Sequence, residues 1–143
     1  MFERILVVCD GNICRSPTAA GLLAAHKPGV EVTSAGLVGL EGHGMDATAL
    51  EVAESHGMQG GDQHRARKLT GELCRLADLI LVMEGRQRER IIQRFPEASG
   101  KTMLLTHWTG GRDIPDPFRQ SREVHERIHP MIRDAVAAWA AKI

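Results

Sequence analysis

The chain has no tyrosine, and its 143 residues include only two Trp and three Phe. It therefore cannot be controlled by phosphorylation of a tyrosine of its own. Cysteine is also scarce. Cys9, Cys14 and Cys74 are an odd, small set, which excludes a disulfide-built secreted fold and fits a reducing compartment. Charge of one sign is missing, since Lys+Arg and Asp+Glu both number 18. No global field draws the molecule to nucleic acid or to an anionic membrane, so any anion site must be local. Long apolar runs are absent. Stretches such as Leu79–Met83 and Ala135–Ala141 are far too short to cross a bilayer, and Glu3 and Arg4 ahead of a short apolar run do not form a signal peptide. The seven histidines show no zinc-ligand spacing with the cysteines, and Cys9 and Cys14 are not a C-x-x-C pair, so neither metal nor cofactor is expected. What is present is globular: 43% hydrophobic and 25% charged residues over a length that suits one domain, residues 1–143. A cytoplasmic monomer is the expectation.

Apolar runs alternate with amphipathic stretches. Ile5–Val8 reads as a fully buried strand. Ser16-Pro17 opens a helix that runs to His26 and stops at Pro28-Gly29, because proline suits the first helical turn and a hydroxyl can cap it. Val30–Val32 is a short strand, and Ser34–Gly44 a glycine-rich loop. Asp46 caps a helix closed by Gly57. Leu69–Leu76 is a short helix and Asp78–Met83 the third strand. Gln87–Phe95 is a polar helix with Ile91 and Ile92 inward, and Arg86–Arg90 lies on its solvated face. Lys101–Leu105 leads into the fourth strand, and Thr109–Arg119 is a loop. Val124, Ile128, Ile132, Val136 and Trp139 form one stripe of a final helix. Strands alternating with helices predict an α/β fold with an open four-stranded parallel sheet. Ligands of such sheets bind beyond the carboxyl ends of the strands, and Cys9 lies at such an end.

The segment Cys9-Asp-Gly-Asn-Ile-Cys-Arg15-Ser16-Pro17 joins a buried strand, a tight turn and a helix start at one cysteine. The spacing from Cys9 to Arg15 lets successive N–H groups point at one centre, with the thiol beneath and the guanidinium beside it. A ring of donors at a helix N-terminus suits a phosphate dianion, and a cysteine under it is placed to attack phosphorus. A thiol attacks as its thiolate, which the loop amides, the helix start and Arg15 all favour. Arg15 offers a planar fork to two phosphate oxygens. Gly11 permits positive φ and Asn12 tolerates it. Ser16 can donate to the thiolate or cap the helix. Asp116, stiffened by Pro115 and Pro117, can protonate a leaving oxygen and then activate water. A Pro-Asp-Pro by itself is an ordinary turn, and it gains weight from the first motif. Cys74 is expected inside, while Trp108 either edges the site or packs.

Cys9–Pro17 resembles the signature of the low-molecular-weight protein tyrosine phosphatases. Ser34-Ala-Gly36, His64–Arg67, Ala77–Glu84 and Asp113–Phe118 follow in that family's order. His107-Trp108 and Ile114–Glu123 are similar to the bacterial branch associated with capsule and exopolysaccharide export. The resemblance implies a parallel sheet with helices on both faces, Cys9 as nucleophile, Arg15 as phosphate clamp and Asp116 as general acid. It implies a phosphate loop of Gly11, Asn12, Ile13, Cys14, Arg15 and Ser16, supported by Asn12, Ser16, Ser34 and His64. It also implies a pocket wall of Asp10, Ile13, Leu40 and Phe118, no metal, and a reversible disulfide between Cys9 and Cys14 under oxidation. The partner it implies is a phosphotyrosine protein, a bacterial tyrosine autokinase.

Two residues depart from the family pattern. Phe118 stands where tyrosine is usual. Asp10 stands where a neutral residue is usual, and it either faces the pocket mouth, favouring basic flanks on the substrate, or pairs with a nearby arginine. Three other readings are open. An arsenate reductase would need further cysteines, and only Cys74 follows. A phosphoarginine phosphatase has Thr where this chain has Ile13. A non-catalytic phosphate-binding module would not need both Cys9 and Asp116.

Overall fold

The computed structural model describes residues 2–143. Four strands, β1 (Arg4–Cys9), β2 (Glu31–Gly36), β3 (Leu79–Val82) and β4 (Thr102–Leu104), form one parallel sheet in the order β2-β1-β3-β4. The α-helices among the described residues are α1 (Arg15–His26), α2 (Ala47–Ser55), α3 (Gly71–Leu76), α4 (Gly85–Arg94) and α5 (Arg122–Ala140). The open α/β sheet expected from the alternating pattern is therefore present.

The central strands are apolar throughout because both of their faces are covered. Ile5, Val7 and Cys9 pack with Leu79 and Leu81 under α1 and α5, whose Ile128, Ile132, Val136 and Trp139 close that side. Leu6, Val8, Ile80 and Val82 face the opposite way, against Leu69, Cys74 and Ile91 from the α3 and α4 side. Each aliphatic side chain removed from water here contributes about 1.5–3 kcal/mol. A third cluster, including Ile13, Cys14, Met45, Ala49 and Ala53, seats α2 beside the turn after β1.

The strand order reverses beside β1, whose chain neighbour β2 lies on one side and β3 on the other. The crevice at such a reversal is the ligand position of open α/β sheets. Cys9 ends β1 there, and Glu84 follows β3.

Several boundaries differ from the sequence reading. Ser34-Ala35-Gly36, read as loop, completes β2 in register with Val7, Val8 and Cys9. Their small side chains hid the strand, and Gly36 is needed there, since a Cβ would sit 2.5 Å from the Asp10 carbonyl oxygen. The first helix starts at Arg15, with Cys14 as its N-cap residue and no side-chain cap, so Ser16 is not the cap. Thr70 caps α3, its hydroxyl accepting from the Leu73 amide at 3.2 Å. In α4, Ile91 is buried but Ile92 only half so.

Candidate active site

The turn between β1 and α1 is shaped by its carbonyls. Cys9 O accepts from Leu37 N, Asp10 O from Val38 N and Gly39 N, and Gly11 O from Leu40 N. Asn12 O accepts from the His64 ring at 2.6 Å, Ile13 O from Asp46 N, and Cys14 O from Thr18 N. Six consecutive carbonyls are thus engaged by partners outside the loop. In a planar trans peptide the following N–H points the opposite way, so the amides of residues 10–15 are turned to the inner side of the curve. A run of inward amides is an anion-binding nest.

Asn12 holds that curve. Its backbone is left-handed, at φ 62°, a conformation that asparagine tolerates better than most residues. Gly11, which could take positive φ, does not do so here. The Asn12 side chain donates to Ser16 Oγ at 2.8 Å and to Ser34 Oγ at 2.9 Å, and its Oδ1 accepts from the Arg67 amide at 3.0 Å. Because a carbonyl only accepts, His64 must carry its proton on Nε2. Asn12, Ser16, Ser34 and His64, grouped by resemblance, are one hydrogen-bonded unit.

Cys9 Sγ lies at the base of the nest, 3% exposed. The Asn12 amide donates to it at 3.3 Å, and Ser16 Oγ is 2.9 Å away. Ser16 Oγ already accepts from Asn12, so its own proton is free to donate to sulfur. Both contacts bring a donor group to the sulfur. Cys14, on the next turn, differs. Burial pushes its thiol well above the ordinary range, and the negative charges of Asp46, Cys9 and Asp116 add to the effect.

Arg15 is 1% exposed. One guanidinium nitrogen, Nη1, donates to Glu84 at 2.5 Å and to the Ile114 carbonyl at 2.7 Å. The other, Nη2, has only longer contacts, 3.4 Å to Asp10 and 3.8 Å to Asp116. One edge of the fork is anchored while the other remains lightly held. Asp116 is fixed by its own turn, Oδ1 accepting from the Phe118 amide at 3.0 Å.

Cys9, Asp10, Gly11, Ile13, Cys14, Arg15, Val38, Leu40, Asp116 and Phe118 line a pocket of about 190 Å³. Apolar side chains form its walls, the thiol its floor and Asp116 its rim. That shape suits a tetrahedral oxyanion carried on an apolar stem. Trp108 does not line the pocket. It packs edge-on against Trp139 at 5.7 Å, with the Lys142 ammonium over its ring.

Asp10 both lines the pocket and pairs with arginine. Arg86 contacts both its carboxylate oxygens, Gln87 Nε2 donates at 3.1 Å, and Arg15 lies at 3.4 Å. Burial pushes the Asp10 carboxyl up, but the bonds from Arg86 and Gln87 and the charges of Arg86 and Arg15 outweigh it and hold it below the usual carboxylate range. Arg86 and Gln87, read as solvated face, are therefore part of the site. Gln87 is fully buried, and its Oε1 accepts from the Met83 and Glu84 amides. The spacing Glu84-x-x-Gln87 after a buried strand is a helix-start signature that could have found it. Nothing local announced the reach from Glu84 and Arg86 to residues 10 and 15.

The chain is similar to known proteins over nearly its whole length. The family of low molecular weight phosphotyrosine protein phosphatases matches residues 4–143. Wzb of Escherichia coli strain K12, a low molecular weight protein-tyrosine-phosphatase, is 47% identical over 140 residues, covering 98% of this chain and 95% of that protein. The structure of Vibrio vulnificus Wzb in complex with benzylphosphonate superimposes with a TM-score of 0.97 at 45% identity over the whole of both chains. The arginine phosphatase YwlE from Geobacillus stearothermophilus is also similar, with a TM-score of 0.91 and 38% identity over 98% of this chain and 92% of that one. With the loop, its supports and the sheet order on one side and near-full-length identity on the other, the chain belongs to the low molecular weight phosphotyrosine protein phosphatase family.

Proposed function

We propose that the protein hydrolyses phosphotyrosine in two in-line steps through a phosphocysteine at Cys9. Family membership makes it a protein-tyrosine phosphatase, a phosphoric monoester hydrolase. The residue roles rest on the site. In the first step the Cys9 thiolate attacks phosphorus. The S–P bond forms, the P–O bond to the phenol breaks, and Asp116 gives its proton to the departing oxygen. The inward amides and the free edge of Arg15 stabilise the equatorial oxygens, where charge is spread in the transition state. In the second step water attacks phosphorus, Asp116 takes its proton, and the S–P bond breaks to release inorganic phosphate.

One observation carries the reading: the buried Cys9 sulfur accepts from the Asn12 amide and lies 2.9 Å from the Ser16 hydroxyl, at the floor of a nest whose six carbonyls all face out. Its depth selects the substrate. Ile13, Leu40 and Phe118 line the approach, so an extended aryl phosphate reaches sulfur where a short phosphoserine does not. The same apolar wall favours phosphotyrosine over phosphoarginine, the second reading prompted by the likeness to YwlE. Arsenate reduction has no support, because Cys74 is buried on the opposite face of the sheet from Cys9 and cannot relay a disulfide. The physiological substrate that fits the polysaccharide-associated resemblance is a phosphorylated tyrosine autokinase, met by a monomeric phosphatase in the cytoplasm.

The test compares the wild type and Cys9→Ser on a phosphotyrosine peptide, a phosphoarginine peptide and the phosphorylated kinase. The wild type should prefer phosphotyrosine in kcat/KM, and Cys9→Ser should keep phosphate affinity while losing turnover. Substantial turnover by Cys9→Ser rules out the covalent route. Preference for phosphoarginine selects the second reading, and binding without turnover in the wild type selects a non-catalytic module.

A further inference from the structure

Four charged side chains close a ring beside the pocket. Arg15 meets Glu84 at 2.5 Å, Glu84 meets Arg86 at 3.2 Å, Arg86 meets both oxygens of Asp10, and Asp10 returns to Arg15 at 3.4 Å. The signs alternate and sum to zero. The ring joins the end of β1 to the start of α4, and the buried amide of Gln87 braces it from behind.

The ring settles a conflict posed by Asp10. A carboxylate immediately after the nucleophile competes with a phosphoryl group for the same guanidinium edge. The contact from Asp10 to Arg15 is longer than a good charge-assisted hydrogen bond, which spans about 2.7–2.9 Å. A small rotation would close it and occupy the edge that the substrate needs. Arg86 opposes that rotation by engaging both Asp10 oxygens, and Gln87 takes a third contact. Arg86 is itself more than half exposed, so its value lies less in the stability of the pair, which at such exposure is small, than in where it keeps the carboxylate.

Resting on the assignment of Arg15 as the phosphate clamp, we propose that Arg86 is a positioning residue: by gripping Asp10 from the far side, it keeps that carboxylate off Arg15 and leaves the guanidinium edge open to phosphoryl oxygens. The alternative role, direct contact between Arg86 and an acidic residue of the substrate, predicts a different pattern on mutation.

The experiment measures inhibition by inorganic phosphate and the KM and kcat for a small aryl phosphate in wild type, Arg86→Met, Asp10→Asn and the double variant, with the melting temperature of each. A small substrate has no flanking residues, so direct peptide recognition cannot contribute. In Arg86→Met the freed carboxylate should turn onto Arg15, raising KM and the phosphate inhibition constant about tenfold, the value of one charge-assisted bond. Asp10→Asn should bind phosphate at least as well as wild type. The double variant should recover to within about threefold of Asp10→Asn, at the melting temperature of Arg86→Met. Unchanged phosphate affinity in Arg86→Met overturns the proposal, and so does a double variant as weak as Arg86→Met. If wild type itself neither binds phosphate nor turns over the aryl ester, the clamp assignment fails instead, which separates the two.

Discussion

At the scale of the residue, the site is a set of atoms with few spare bonds. Asn12 spends both side-chain groups and its carbonyl on Ser16, Ser34, Arg67 and His64. Asp116 differs, being 43% exposed in its side chain, held by its own turn and only distantly by Arg15 at 3.8 Å, which leaves it accessible at the rim. Asp116→Asn should therefore lower kcat by about 10²–10⁴ for a phenolic leaving group and by much less for an activated aryl phosphate. Equal losses with the two substrates would show that the residue only shapes the loop. The sequence made the Cys9–Pro17 loop and Asp116 legible because the loop is contiguous and the prolines mark the aspartate. It left Glu84, Arg86 and Gln87 out because their partners lie some seventy residues away, and a helix read alone shows charges without showing what they face.

At the scale of the element, the strands with large apolar side chains were legible and the rest less so. Ile5–Val8 and Leu79–Val82 carry the pattern of a doubly covered strand, whereas Thr33–Gly36 pairs along β1 with small residues that look like a loop. The stripe of α5 was read correctly, and the helix continues through Pro130 because its buried face offsets the missing amide bond. That face meets the C-terminal end of α2 through His129 and the capping residue His56, whose rings stack with centroids 4.3 Å apart. His129 is buried and its Nε2 has no hydrogen-bond partner among the described residues. Burial, the neighbouring His56 and Arg133 lower its affinity for a proton, and Glu126 only partly opposes them. His125 and Asp46 face the same seam, 3.9 Å apart. With the folded value depressed, the unfolded chain binds more protons, so stability is complete above the ordinary histidine value near 6.5 and is lost as pH falls through it toward the folded value. Melting curves at pH 7.5 and 5.5 should show a larger drop for wild type than for His129→Phe. Parallel drops would mean that this pair does not sense pH.

At the scale of the whole molecule, a chain with no net charge must create its anion site from local dipoles and one buried cation. The site stands where three apolar clusters meet: Cys9 belongs to the one under α1 and α5, Ile13 and Cys14 to the one under α2, and Leu37 beyond β2 to the one under α3 and α4. A ligand that ties the loop together therefore restrains all three, and its binding should appear as global stability. An oxyanion held only by the folded state at a hundred times its dissociation constant contributes about 2.7 kcal/mol, which for a chain of this length raises the melting temperature by roughly 5–10 °C. Inorganic phosphate should give that rise in wild type and in Cys9→Ser, which keeps every donor of the nest. Arg15→Met should melt lower from the start, because Glu84 and Asp10 lose their buried counter-charge, and phosphate should then add little. A full phosphate-dependent rise in Arg15→Met would show that the amides alone hold the anion. No rise in wild type would show that the nest, although formed, does not bind phosphate in the folded protein.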